Sequence, residues 1–161
     1  MKVESINLQK CIKSSGFSLL EVLIALVLLS IGLLGLAGLQ ITGLQNNQRA
    51  YHRSQATQLS YDIADRMRSN KVALNTYSTI DPSSAEAKFI CVTIAGCSAS
   101  EMAKNDLYEW NAALVSTLPS SLGTISSILP VGTYQITITW DDNRDGLVDN
   151  KDPVFQTSFQ P

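Results

Sequence analysis

The sequence is poor in histidine, in aromatic residues and in net charge, and these shortages narrow the range of functions. His52 is the only histidine among 161 residues, aromatic residues make up 7%, and 12 basic against 14 acidic residues give a net charge of −2. With no second histidine, surface solvation is the expected role of His52, rather than catalysis or metal binding. The sequence has no basic patch of the kind that would indicate nucleic-acid binding. Without a nucleophile motif or a phosphate-binding loop, we predict that the chain is not an enzyme.

Charge is almost missing from residues 17–39, where Glu21 is the only charged side chain. This apolar run reaches the roughly 20 residues that a membrane-spanning helix needs, and it is too long for an ordinary secretory signal. Three lysines precede the run, and positive residues favour the cytoplasmic side. We therefore predict that the part of the chain after the run is exported. Secretory cleavage near residues 35–37 is a weaker alternative.

The first residues of the apolar run form a recognisable pattern. The segment SGFSLLE, residues 15–21, places a glycine directly before an aromatic residue, and a carboxylate four residues beyond that aromatic. This segment resembles the prepilin peptidase site of the type IV pilins. The run that continues to Gln40 resembles, in particular, the minor pilins of the PilV type. The resemblance is specific from Lys13 to Gln48 and loose over the rest of the chain.

The resemblance implies a series of events at the N-terminus. Prepilin peptidase would cut between Gly16 and Phe17 on the cytoplasmic face and would methylate the new N-terminal Phe17. The subunit would then stay in the inner membrane as a single-pass protein, with its C-terminal domain in the periplasm, and later enter a pilus fibre at the cell surface. Its partners would be other major and minor pilins and the inner-membrane assembly platform. A membrane anchor with a coincidental glycine is the simpler alternative.

Glu21 needs a physical reason, because an ionised carboxylate in the bilayer core costs about 2.5–3.5 kcal/mol. After cleavage, the ammonium group of Phe17 would lie four residues, or one helical turn, before it. The two charges can neutralise each other within one subunit or between neighbours in a fibre. The resemblance implies that Glu21 guides a new subunit into register. The alternative is a carboxylate close enough to the membrane surface to stay hydrated.

A long helix is predicted from Phe17 to about Asn70, since no proline occurs before Pro82. From Gln40 onward, apolar residues recur at helical spacing, which predicts a face that packs against the C-terminal domain. The residues of this face are Ile41, Leu44, Tyr51, Leu59, Ile63 and Met67. The predicted divisions are a leader peptide (1–16), a transmembrane or fibre-core helix (17–39), the amphipathic half of the long helix (40–75) and a periplasmic globular domain (76–161).

The C-terminal part predicts a small domain of mixed structure. Residues 76–81 indicate a break, 82–84 a loop and 89–94 a short strand. Ser98 and Glu101 have the spacing of a capping box, which predicts the start of a helix that Pro119 stops. The apolar stripe of this helix consists of Ala103, Leu107, Trp110, Leu114 and Leu118.

Two further strands complete the prediction. Residues 132–140 alternate between apolar and polar, as a half-buried antiparallel strand does, and residues 154–159 predict a final strand. The predicted fold class is α+β, of the type IV pilin fold, with a long N-terminal helix packed on a small antiparallel sheet.

Three cysteines are present, and an odd number leaves one of them without an intramolecular partner. Removal of the leader takes Cys11 away and leaves Cys91 and Cys97, which share the exported side and can pair. A disulfide between them would close a short loop and add about 2 kcal/mol of stability. The alternative is a metal pair, which lacks the two further ligands that zinc needs.

The segment DDNRDGLVDNKD, residues 141–152, resembles the EF-hand pattern D-x-[DN]-x-[DN]-G. Gly146 takes the position of the sharp turn. The last ligand is an aspartate in place of the usual bidentate glutamate, and a strand rather than a helix precedes the loop. An Asx-rich connection between strands is the alternative, so the sequence leaves Ca²⁺ as a cofactor open. The candidate calcium ligands are Asp141, Asn143, Asp145, the carbonyl of Leu147, Asp149 and Asp152.

The predicted function is structural, that of a low-abundance pilin that primes, modifies or decorates a pilus. A type II secretion pseudopilin is the nearest alternative, because it shares the processing signal and the helix. Residues 31–40 favour the PilV-type pilin over it. A further alternative is a calcium-dependent adhesin module at the pilus tip, which would use the loop of residues 141–152.

Overall fold

The computed structural model describes residues 16–161, so the predicted leader, apart from Gly16, lies outside the described residues. Helices occupy the first two thirds of the described chain and strands the last third. The elements are α1 (Leu19–Ser69), α2 (Leu74–Thr79), α3 (Ala99–Thr117), β1 (Leu122–Ile128), β2 (Thr133–Thr139) and β3 (Val154–Phe159), with 3₁₀ turns at Lys71–Ala73, Pro82–Ser84 and Phe89–Val92.

The long helix predicted from the missing proline is confirmed, because α1 runs for 51 residues. The chain divides into two compact units, and the second is Gln45–Pro161. In the first unit, which ends at Leu44, every described side chain is exposed. Side chains of this unit therefore gain nothing from a core of their own, and the helix there depends on its local hydrogen bonds and on its surroundings.

The sheet of the second unit has three antiparallel strands in the order β1-β2-β3. The central strand β2 pairs Ile136 with Ile125 of β1 and with Thr157 of β3. Ile136 and Ile138 are buried and the threonines between and after them are less so, as the alternation predicts. The two strands expected at 132–140 and 154–159 are confirmed, and so is the α+β class.

A single core joins α1, α3 and the sheet. Trp110 of α3 is fully buried and belongs to the same core as Ile63 of α1 and Ile136 of β2. The indole N–H of Trp110 donates to the carbonyl of Leu59 at 2.9 Å, so the largest core side chain also connects α3 to α1. The buried hydrophobic residues are Ala56, Ile63, Ala64, Met67, Ala73, Tyr77, Ala103, Leu107, Trp110, Leu114, Leu118, Ile125, Ile136, Ile138 and Trp140.

The third helix follows its sequence signals closely. Ser98 accepts a hydrogen bond from the backbone N–H of Glu101, and the Glu101 carboxylate accepts from the backbone N–H of Ser98, which confirms the capping box. The helix ends at Thr117 and Leu118 is extended, because a residue before proline avoids the helical conformation. All five residues of the predicted apolar stripe are buried.

A close approach between α3 and β1 explains Gly123. A Cβ atom at this position would lie 2.5 Å from Leu114 Cδ1 and 2.6 Å from the ring of Trp110. Only glycine leaves room for both side chains. Strand β1 was not predicted, because its glycine and serines are poor indicators of a strand.

The predicted apolar face of α1 is wrong over its first half. Ile41, Leu44 and Tyr51 are exposed, whereas Ile63 and Met67 are buried. The buried residues of the helix also include small ones, Ala56, Ser60 and Ala64. Small residues bring α1 close to its neighbours, and a search for large apolar residues does not detect them.

Two local predictions in the connection between α1 and α3 are also wrong. Residues 76–79 belong to α2 rather than to a break, because Tyr77 is fully buried and donates to the Asp106 carboxylate. Residues 89–92 form a 3₁₀ turn rather than a strand. Phe89 and Ile90 are exposed there, so the segment lacks the half-buried surface that a strand needs. Residues 82–84, expected as a loop, are a single 3₁₀ turn.

Candidate functional site

The predicted processing junction lies just outside α1. The Ser18 hydroxyl accepts from the backbone N–H of Leu20 at 3.3 Å, and the Ser18 carbonyl accepts from the N–H of Glu21 at 3.0 Å. Ser18 therefore caps the helix, and Gly16 and Phe17 remain non-helical and exposed, Phe17 by 83%. A peptidase that binds an extended substrate would find this junction accessible.

Glu21 lies in the first turn of α1, where the unpaired N–H groups of the helix favour a negative charge. The sequence suggested that Phe17 and Glu21, four positions apart, are separated by one helical turn. Phe17 precedes the helix, so the segment between them is not a full helical turn here. Both residues nevertheless border the same shallow recess, of about 360 Å³, beside Val22, Ala25 and Leu26. A positive group at residue 17 would therefore share a recess with the Glu21 side chain.

The apolar half of α1 is the part of the chain suited to a membrane. By length and composition, α1 could cross one, and none of its most apolar 18-residue window is buried. The exposed large hydrophobic residues extend from Phe17 to Leu44. Exposed apolar surface on this scale requires lipid or other protein subunits around it.

The predicted disulfide is present, since Cys91 and Cys97 are joined with their Cα atoms 4.8 Å apart. The bond closes the loop from Cys91 to Cys97, which begins within the 3₁₀ turn Phe89–Val92 and ends directly before the capping box of α3. Ile94, within this loop, is fully exposed. The loop therefore presents apolar residues at the surface that no part of the described chain covers.

A polar cluster that the sequence did not predict joins α1 to α3. Arg66 donates to Glu109 at 2.7 Å, to Asp106 at 3.1 Å and to Asp62 at 3.1 Å. Burial lowers the pKa of Arg66, but these three carboxylates together raise it above its usual value. The hydrogen bond from Arg66 lowers the pKa of Glu109. Burial and the bond to Asp106 raise the pKa of Tyr77.

This cluster is structural in its chemistry. The arginine stays charged and the tyrosine stays neutral at any physiological pH, so neither group can exchange a proton during a reaction. Arg66 is 40 residues from Asp106 and 43 from Glu109, which is why no local pattern revealed the link between the two helices.

The loop between β2 and β3 is held by its own aspartates. Asp141 Oδ2 accepts from the N–H of Gly146 at 2.9 Å, and Asp145 Oδ1 accepts from the N–H of Leu147 at 3.0 Å. The two carboxylate oxygens of Asp152 accept from the N–H groups of Asp142 and Asp149. The backbone bond from Leu147 and the contact with Asn143 lower the pKa of Asp145.

The six candidate calcium ligands thus lie in one loop, but their carboxylates are used mainly to fix its backbone. Among residues 16–161, no group of three or more His, Cys, Asp or Glu side chains is close enough together to hold a metal ion. Asn143 and Asp149 each accept from a backbone N–H two residues further on, as in Asx turns. Gly146 has φ +88°, which confirms it as the sharp turn.

A cavity beside this loop was also not predicted. It has a volume of about 470 Å³, and Arg49 and Arg53 of α1, Trp140, Lys151 and Phe155 contribute to its lining. Arg49 bonds to Asp142 at 2.9 Å, so the loop is tied to α1 by an ion pair between residues 93 positions apart. Only the fold brings these charges together.

Two protein-family profiles match the chain. One describes the prokaryotic N-terminal methylation motif and covers residues 12–37. The other, Tt1218-like, describes the type IV pilin Tt1218 and covers residues 38–108. No curated protein and no solved structure matches the chain. The two matched ranges follow one another without a gap and together include the predicted processing junction, α1, the disulfide and the first half of α3.

Proposed function

Because its two family matches support a type IV pilin and imply a pilin subunit, we propose that this chain is a minor pilin of the PilV type. In this role it primes, modifies or decorates the pilus and acts as a structural subunit, without catalysis. One observation carries the proposal: the methylation motif covers an exposed Gly16–Phe17 junction that lies directly before a long, uncovered apolar helix. The run of residues 31–40 favours the PilV type.

Processing is the first step of the proposed function. Prepilin peptidase removes residues 1–16 on the cytoplasmic face and methylates Phe17, and the second unit then lies in the periplasm. The exposed junction before the Ser18 cap supports this order of events, because the peptidase can reach it without unwinding α1. Mass spectrometry of the N-terminal peptide should identify methylated Phe17 as the first residue of the mature protein.

A matched pair of variants tests the junction. Gly16→Leu should leave the uncut precursor in the inner membrane, because a bulky residue replaces the glycine at the cleavage site. Ser18→Ala removes only the weak 3.3 Å cap contact and should still be cut. A mature protein that starts elsewhere, or efficient cutting of Gly16→Leu, would contradict the proposed site.

Glu21 is proposed to act after processing, as the partner of the Phe17 ammonium group. Glu21→Ala removes a carboxylate that is costly in lipid, so membrane insertion should not suffer. The variant should be processed normally, yet its amount in sheared pili should fall to a small fraction of the wild-type level. Ser30→Ala, a neutral change in the same helix, should enter pili normally. Wild-type amounts of Glu21→Ala in pili would disprove charge pairing.

A type II secretion pseudopilin is the alternative that these variants do not separate. A deletion strain separates the two, because loss of a minor pilin changes the number or function of surface pili and leaves protein secretion intact. Loss of secretion with normal pili would favour the pseudopilin. Quantitative mass spectrometry of purified pili should find this chain well below the major subunit, as expected for a minor pilin.

A further inference from the structure

The part of α1 with which the second unit begins, residues 45–55, is packed differently from the part that follows it. None of the side chains of residues 45–55 is buried. Ala56 is the first buried residue of α1, and the buried series that it starts continues to Met67. Core packing therefore holds α1 in the second unit only from Ala56 onward. We call residues 45–55 the linking segment.

One polar contact joins the linking segment to the rest of the second unit. Arg49 Nε donates to Asp142 Oδ2 at 2.9 Å, across the loop of residues 141–152 that connects β2 to β3. Among residues 16–161, no other hydrogen bond or ion pair of a linking-segment side chain reaches beyond α1. The side chain of Arg49 is 63% exposed, so water and salt compete with this pair.

Two cavities flank the ion pair, and Arg49 and Asp142 line both of them. The first, of about 470 Å³, has the linking segment on one side, and Trp140 and the start of β3 on the other. The second, of about 370 Å³, lies between the linking segment and residues 142–144. Side chains that face each other across a gap lose their dispersion contacts. The linking segment therefore gains little from packing against the β2–β3 loop.

Buried polar atoms without partners concentrate at the same place. The described residues contain four buried side-chain polar atoms that have no hydrogen-bond partner, and three of them belong to His52, Trp140 and Asp141. Trp140 lines the first cavity, His52 lines the second, and Asp141 begins the β2–β3 loop. Each such atom has given up its bonds to water without replacing them, which costs free energy. This cost opposes close contact between the linking segment and the loop.

The β2–β3 loop does not need α1 for its own structure. The carboxylate oxygens of Asp152 accept from the N–H groups of Asp142 and Asp149, so these bonds lie within the loop. Its first residue is attached to the loop before β1, because the N–H of Asp141 donates to the carbonyl of Pro119 at 3.0 Å. Loss of the bond to Arg49 would leave all of these contacts in place.

We propose that the Arg49–Asp142 pair is a latch, whose opening separates the linking segment from the β2–β3 loop while the core from Ala56 onward stays folded. With the latch closed, the second unit holds α1 from Arg49. With the latch open, it holds α1 only from Ala56, seven residues or about 10 Å further along the helix.

The use of this latch rests on the proposed function, whereas the latch itself does not. A pilin subunit is surrounded first by lipid and then by other subunits. A segment that the folded unit can release gives α1 freedom to adapt to both surroundings just before it enters the core.

The test is acrylamide quenching of tryptophan fluorescence, measured on the full chain in micelles of a non-ionic detergent. Both tryptophans are buried, but only Trp140 lines a cavity beside the linking segment, whereas Trp110 lies fully inside the core. Opening therefore exposes Trp140 alone. About 1 M sodium chloride weakens an exposed ion pair, because the Debye length falls to about 3 Å. The quenching constant of Trp140 should then rise by up to about fivefold, the ratio that an exposed pair supports.

Variants on both sides of the latch should reproduce the effect of salt. Asp142→Asn and Arg49→Gln should each raise the quenching constant at low salt and remove its dependence on salt. If one of them fails to fold, which circular dichroism detects, the other decides. The charge-swapped double variant, Arg49→Asp with Asp142→Arg, should bring the quenching constant back towards the wild-type value.

Lys151→Gln is the matched control. Lys151 lines the same cavity as Trp140, but its contact is with Asp149 of its own loop, at 3.5 Å. This variant should keep both the wild-type quenching constant and its response to salt.

Two outcomes would overturn the proposal. The first is a quenching constant that is the same in the wild type, in Asp142→Asn and in Arg49→Gln, which would show that the pair does not control access to Trp140. The second is an equal rise in Lys151→Gln, which would reduce the effect to a general change of charge. Neither outcome bears on the pilin assignment, which is tested by processing at Gly16 and by entry into pili.

Discussion

The helix α1 has two regions whose surroundings are opposite. Up to Leu44 its side chains are all exposed, whereas from Ala56 to Met67 it contributes five buried residues to the core of the second unit. The first region carries apolar side chains that no other part of residues 16–161 covers, and the second exposes polar ones. One regular helix can thus serve two environments, because helical hydrogen bonds are satisfied locally in lipid, in protein and in water.

The glycines of the two regions show the same contrast. A Cβ atom added at Gly32, Gly35 or Gly38 would meet nothing within 4 Å apart from its chain neighbours and the backbone of its own helix, whereas one added at Gly123 would overlap with Leu114 and Trp110. The difference teaches that stability of the folded unit depends on contacts from Gln45 onward. Substitutions in the first region should affect processing and assembly, and substitutions in the second should affect unfolding.

The largest difference between the regions should come from Trp110→Ala. This change removes the largest fully buried side chain and its bond to the Leu59 carbonyl, and should lower the free energy of unfolding by about 3–5 kcal/mol. The measurement is denaturant unfolding in micelles, followed by circular dichroism. Leu26→Ala, an exposed residue of the first region, is the control and should leave the transition unchanged. Equal effects of both variants would remove the distinction between the two regions.

Gly123→Ala should have the next largest effect and lower the free energy of unfolding by about 1–3 kcal/mol. The reason is that the new methyl group forces Trp110 or β1 to shift. Gly35→Ala is the matched control, because the same methyl group there meets nothing within 4 Å apart from its chain neighbours and the backbone of its own helix. Thermal unfolding of both variants by tryptophan fluorescence measures the difference. A Gly123→Ala protein as stable as the wild type would mean that α3 and β1 are packed less closely than described.

Removal of the disulfide should lower the free energy of unfolding by about 2 kcal/mol. This effect is modest because the bond closes only a short loop. The double variant Cys91→Ser with Cys97→Ser should unfold at lower temperature but with the same far-ultraviolet circular dichroism, since the core does not include either sulfur. Mass spectrometry without reduction should find the native protein two hydrogens lighter than the dithiol form. Alkylation of both thiols in native protein would contradict the bond.

The smallest expected effect is the contribution of Glu109 to stability, which is lost at acidic pH. Its folded-state pKa lies below the ordinary 4.5, so it stabilises the fold above pH 4.5 and that contribution is lost as the pH falls through the folded-state pKa. Because Glu109 is partly exposed, Glu109→Gln should cost only about 0.5 kcal/mol at pH 7 and should lose less stability between pH 4.5 and 3 than the wild type.

Glu86→Gln is the control for this prediction. Glu86 pairs with Lys88 rather than with a residue of α1, and its side chain is 81% exposed. This variant should match the wild type at both pH values. An acid profile of Glu109→Gln that parallels the wild type would show that the bond from Arg66 does not contribute to stability.

Much of the chain was predictable where a local pattern decides the structure. The absence of proline allowed one long helix, Ser98 and Glu101 started α3, and the alternation around Ile136 produced β2. The proposed processing junction also rests on local sequence, because the methylation motif that matches here is a short run of residues 12–37. These features depend on residues within a few positions of each other, so the sequence alone predicts them.

Other features could not be predicted from local sequence, because they depend on how the chain folds. The apolar residues at Ile41, Leu44 and Tyr51 were predicted to be buried and are exposed, because periodicity defines a helix face but not which part of it meets the sheet. The segment at 89–94 was predicted as a strand and forms a 3₁₀ turn, since β-branched residues form a strand only beside another strand. Both errors have the same origin, a partner that lies elsewhere in the chain.

The sequence by itself determined the long helix, the single carboxylate within its apolar run, the pair of cysteines after it and the aspartate pattern of the last loop. The tertiary structure alone decided that Arg66 meets Asp106 and Glu109, that Arg49 meets Asp142, and that Asp141 is buried. The physical reason is the distance along the sequence over which the interactions act. Helices, caps and turns are stabilised by neighbours in sequence, whereas burial and ion pairing depend on residues that only the folded chain brings together.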